Sequence, residues 1–106
     1  MIKNFKPTDA ELEILSVLWE KKEASVREVH TSLSSYKKVG YTTILKLMQI
    51  MHVKGLVNRR EEYRKHFYFA VLDKQVYRRN VLMKIKSTLF DGSQDSLLNE
   101  VNQLNA

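Results

Sequence analysis

At Gly55 the apolar period of this chain changes from about 3.6 residues to 2. Upstream, Ile44, Leu47, Met48 and Met51 recur at helical spacing, which predicts a helix over 41–54. Downstream, 56–61 and 65–71 alternate as strands do, with Phe67, Phe69 and Val71 on one face. A chain that switches in this way must stop a helix and start a hairpin almost at once. Gly55 suits the stop, because glycine takes the left-handed cap without a steric penalty. Glu62-Tyr63-Arg64 is left to turn the hairpin, and no Asn-Gly or Gly-Gly pair fixes its geometry.

Two capping boxes precede the switch. Thr8-Asp9-Ala10-Glu11 opens a helix over 8–21, with Ala10, Ile14 and Leu18 every four residues and Lys21-Lys22 at its carboxyl end. Ser25-Val26-Arg27-Glu28 opens a shorter one over 25–34, striped by Val26, Val29 and Leu33. The polar run 34–40 breaks the pattern. After the hairpin a long helical pattern runs from Asp73 to about Phe90, Asp91-Gly92-Ser93 interrupts it, and Leu97, Leu98, Val101 and Leu104 outline a last helix. Three helices, a hairpin, then more helix is the order of a winged helix-turn-helix. The expected fold is mainly α with a small β-hairpin wing. Residues 1–72 would form a DNA-binding domain and 73–106 a helical dimerisation region.

Charge is distributed to match. The net charge is +6, but residues 36–90 hold thirteen basic and three acidic side chains, while 1–35 and 91–106 are both slightly acidic. A basic block of this kind suits a polyanion. The chain has no cysteine, which excludes disulfides, a thiolate nucleophile and zinc ribbons. His30, His52 and His66 lack metal-ligand spacing, and no phosphate-cradling or nucleophile motif occurs, so neither an enzyme nor a metal or other cofactor is expected. With no apolar run near the ~20 residues of a membrane span and no signal-peptide core, a cytoplasmic protein without membrane insertion is expected.

With its apolar face in the core, the 41–54 helix would show Thr42, Thr43, Lys46, Gln49, Ile50 and Val53 on the other side. Thr42, Thr43, Lys46 and Gln49 are the candidate base readers: threonine can meet a thymine methyl or a base edge, glutamine adenine, and lysine guanine. Thr42 and Thr43 equally suit the start of a helix. Lys37, Lys38, Arg59, Arg64 and Lys65 flank the helix and are the candidate phosphate ligands. Beyond residue 73, Tyr77, Val81, Ile85 and Leu89 form one apolar line and Val76, Met83 and Phe90 another, with Leu97, Leu98 and Val101 following. So wide an apolar surface calls for a partner, and a homodimer is the expectation. A winged helix that docks proteins instead of DNA is the alternative.

The segments PTDAELEILSVLWEKKEASVREVHTSL, YTTILKLMQIMHVKGLV, YRKHFYFAVL with its Arg64-x-x-x-Tyr68 spacing, and LFDGSQDSLL occur in this order over 7–101. Together they resemble the penicillinase repressor family of bacterial transcription factors, the BlaI/MecI group with its CopY relatives. The resemblance implies a dimeric repressor on a pseudo-palindromic operator in double-stranded DNA, with recognition contacts at Thr42, Thr43 and Lys46. It also implies a membrane sensor-protease pathway that cleaves an Asn-Phe bond in the C-terminal helices. Three departures stand out. Ile50 occupies a position where many members carry arginine, Glu100-Val101 replaces the scissile pair, and the chain stops before the family's last helix. Copper sensing of the CopY kind would need cysteines, which this chain lacks.

Overall fold

Both capping boxes close in the computed structural model, which describes residues 6–105. The Thr8 hydroxyl accepts the Glu11 amide at 3.2 Å while the Glu11 carboxylate accepts the Thr8 amide at 2.9 Å, starting α1 (Asp9–Lys21). Ser25 and Glu28 repeat the exchange at 3.2 and 2.8 Å, starting α2 (Val26–Ser34). The helix α3 (Tyr41–Lys54) follows and ends on Gly55, whose φ of 85° is the left-handed cap expected from its position. Two antiparallel strands, β1 (Val57–Glu62) and β2 (Lys65–Ala70), then α4 (Lys74–Leu89) and α5 (Gln94–Gln103) complete the order.

The hairpin register runs from Val57 opposite Ala70 to Glu62 opposite Lys65, so the loop is only Tyr63-Arg64. Both loop residues have positive φ, 52° and 64°, as a type I′ turn requires. Ala24, between α1 and α2, adds a single antiparallel bridge to β2, exchanging hydrogen bonds of 2.8 and 2.9 Å with Tyr68. The wing is therefore stitched at its base to the helices.

The chain falls into two compact units, the first ending at Leu72 and the second beginning at Asp73. The core of the first unit joins Ile14, Leu15 and Leu18 of α1, Val29 and Leu33 of α2, Ile44, Met48 and Met51 of α3, and Leu56, Val57 and Tyr68 of the wing. Leu47 is only half-buried. The inward aromatic of β2 is Tyr68, not Phe67 or Phe69, which are half-buried, and Val71 is exposed. Three aromatics in a row hide the alternation, and the Ala24 bridge decides which faces the helices. The Trp19 indole donates to the Leu72 carbonyl at 2.9 Å, tying the end of this unit to α1. In the second unit neither α4 nor α5 has a fully buried residue. The two helices leave a groove of about 570 Å³ floored by Leu82, Met83, Leu97, Leu98 and Val101.

Candidate nucleic-acid interface

The groups available to a ligand on α3 follow from its amphipathic register. Ile44, Met48 and Met51 are buried, whereas Thr42, Thr43, Lys46, Gln49, Ile50 and Val53 are all exposed. At 100° per residue these six share an arc of about 120° around the helix axis. The N-cap is Gly40, without a side-chain cap, so neither Thr42 nor Thr43 caps the helix. Their hydroxyls and methyls stand at the outer face of its first turn.

Neighbouring side chains fix the α2–α3 turn that aims this arc. A ring nitrogen of His30 donates to the Val39 carbonyl at 2.8 Å, and the His30 ring meets Tyr41 edge-on at 5.8 Å. The Arg27 guanidinium lies 5.5 Å from the centre of the Tyr41 ring. At the other end of α3, Lys54 forms a 2.7 Å ion pair with Glu11, whose side chain is almost fully buried. Burial pushes the Glu11 carboxyl up, but the Lys54 ammonium and the Thr8 amide outweigh it and hold it below its ordinary value. None of these supports was foreseen, because each joins residues from different elements and leaves no mark on local periodicity.

The five candidate phosphate ligands divide into two groups. Lys38, Arg64 and Lys65 are exposed, and no ion pair engages them among the described residues. Lys37 is held by Glu13 at 2.7 Å, which keeps its ammonium above the usual range. Arg59 is half-buried and donates to the Tyr68 hydroxyl at 3.1 Å, its guanidinium 5.8 Å from that ring. Arg60 stacks on Phe67 and bridges Glu23 and Glu62, which raises its pKa further; it braces the wing against the α1–α2 loop. Tyr63, at the wing tip, is 93% exposed.

The apolar residues proposed for self-association lie in or beside α4 and α5. Val76, Met83, Leu89, Leu98 and Val101 are exposed; Tyr77, Val81, Ile85, Phe90 and Leu97 are half-buried. Glu100 and Val101 are both exposed on α5. Among the described residues no three His, Cys, Asp or Glu side chains gather as metal ligands, and no helix is long and apolar enough to cross a membrane.

A helix-turn-helix whose last helix shows a polar arc beside a basic hairpin defines the winged-helix class of DNA-binding regulators. Residues 7–104 match the family described as Penicillinase repressor. The chain belongs to that family. It is 24% identical over 89 residues to the penicillinase repressor of Staphylococcus aureus, covering 84% of this chain and 71% of that one. It is 34% identical over 64 residues to the transcriptional regulator BlaI of Mycobacterium tuberculosis, covering 59% of this chain and 46% of that one. The aligned part thus spans about half of the mycobacterial relative. Among solved structures, the DNA-binding domain of the repressor BlaI superposes with a TM-score of 0.61 at 28% identity, covering 69% of this chain and 90% of that domain.

Proposed function

We propose that this protein is a dimeric transcriptional repressor that binds a pseudo-palindromic operator, with α3 in the major groove and the wing along the phosphates. The observation that carries the reading is the outer arc of α3. All six of its residues are exposed, it has a single charge at Lys46, and it is accompanied by Lys38, Arg64 and Lys65, cations that no ion pair engages among the described residues. Short side chains allow close approach to base edges, while charge on the flanks supplies affinity. Thr42, Thr43, Lys46 and Gln49 read bases; Lys38, Arg64 and Lys65 take phosphates directly. Lys37 and Arg59 join them by exchanging their intramolecular partners for phosphate.

The second unit supports the dimer. Two short helices without one buried residue do not persist alone in water, and their apolar groove needs a cover. A second copy supplies it with matching charge: α4 carries five basic residues and no acid, α5 two acids and no base. By family resemblance a membrane sensor-protease pathway relieves repression, and Glu100-Val101 on α5 sets this chain apart from the Asn-Phe cleavage rule.

Lys46→Ala is expected to weaken binding with strong dependence on base sequence, whereas Arg64→Ala weakens it on every duplex alike. Competition assays on a selected site and on random DNA separate the two; equal losses for both variants on both duplexes would remove the division of labour. Exposed Ile50 and Val53 on α3 favour a second reading, a winged helix that docks proteins instead of DNA, which requires weak and salt-insensitive DNA affinity.

A further inference from the structure

Two β-branched aliphatic side chains stand on the outer arc of α3 with apolar surface left open: Ile50 is 42% exposed and Val53 is 86% exposed. Seven residues advance a helix by about 20° and roughly 10 Å. Ile50 therefore lies almost in line with Thr43, and Val53 almost in line with Lys46, each about three base-pair steps further along. Lys46 projects between Ile50 and Val53 around the helix axis. An apolar protein patch that covered both aliphatics would also bury the Lys46 ammonium without a partner, at a heavy desolvation cost. The major groove has no such conflict. It offers acceptors for lysine and glutamine, and one apolar group, the C5-methyl of thymine, beside the O4 acceptor.

We propose that Ile50 and Val53 are specificity residues that pack against thymine C5-methyl groups in the major groove. The proposal rests on the DNA-binding reading of α3 and adds to it a base preference that Thr42, Thr43, Lys46 and Gln49 do not by themselves dictate. A cation at these positions would reward any phosphate or guanine, whereas an aliphatic side chain rewards only a methyl group. The preferred site is accordingly rich in thymine, on either strand, where the second half of α3 crosses the groove.

The test starts from a random-sequence duplex library, so the operator need not be known in advance. Duplexes that bind the full chain are enriched, and thymines in the preferred site are replaced singly by deoxyuridine, which lacks only the methyl. The wild-type chain should bind about fourfold more weakly at each contacted thymine, the worth of one buried methyl at about 0.8 kcal/mol. The Ile50→Ala/Val53→Ala double variant should lose the deoxyuridine penalty at thymines facing the second half of α3, while any penalty set by Thr42 or Thr43 at the first half stays. Its thermal unfolding midpoint should change little, since Val53 is almost wholly exposed and Ile50 partly so. Equal wild-type affinity for both duplexes at every position overturns the proposal, as does a double variant that keeps the full deoxyuridine penalty. Failure to enrich any sequence would instead overturn the DNA-binding reading on which the proposal stands.

Discussion

Tyr63 and Arg64 hold the wing tip in left-handed backbone, which costs a non-glycine residue roughly 1–2 kcal/mol each. Asn-Gly would turn the same hairpin without that strain. Replacing Tyr63-Arg64 by Asn-Gly is therefore expected to raise stability by about 1 kcal/mol, seen as a higher thermal midpoint, while lowering the salt slope of DNA binding by about one per subunit. Glu11 carries the opposite balance. Its folded-state carboxyl titrates below the ordinary value of 4.5, so its contribution to stability is present above that pH and lost as pH falls through the folded value. Glu11→Gln should destabilise the first unit by about 1–2 kcal/mol at neutral pH. Urea unfolding should show the gap to wild type closing as the pH falls below about 4. At this scale the capping partners were legible, since Thr8 and Glu11 are three residues apart. The pairing of Glu11 with Lys54 was not, because only the packing of α1 against α3 brings them together.

The helix α3 carries one buried face and one exposed face. Met48→Ala should cost about 2–5 kcal/mol because the side chain is fully buried, whereas Val53→Ala should change stability by less than about 0.5 kcal/mol. Denaturant midpoints for the two variants check both statements. The bounds of α3 and its two faces were readable because the apolar spacing is clean and Gly55 marks the end. The wing was readable as a hairpin but not in its facing. Phe67, Tyr68 and Phe69 are all apolar enough to turn inward, and the bridge from Ala24, distant in sequence, makes Tyr68 the core residue. The turn type was equally hidden, since Tyr-Arg is a poor match to the residues that favour left-handed backbone. Lys37 and Arg59 were legible as basic flanks, but their partners Glu13 and Tyr68 belong to other elements.

For the whole molecule, the question is whether two copies act as one reader. Leu82→Asp and Leu98→Asp place a charge on half-exposed positions of the groove between α4 and α5, neither of them a core residue of the first unit. Sedimentation should show each variant as a monomer. Operator affinity should fall by about a hundredfold as the second half-site loses its tethered partner, while the first unit keeps its unfolding midpoint. The central claim, that the arc of α3 and its cationic flanks meet DNA, is tested most directly by the salt dependence of binding to duplex DNA. Lys38, Arg64 and Lys65, joined by Lys37 and Arg59, predict that the logarithm of affinity falls with the logarithm of salt at a slope of about −4 to −5 per subunit, reduced by about one in Arg64→Ala. A weak affinity that does not change with salt, in wild type and Arg64→Ala alike, would contradict it.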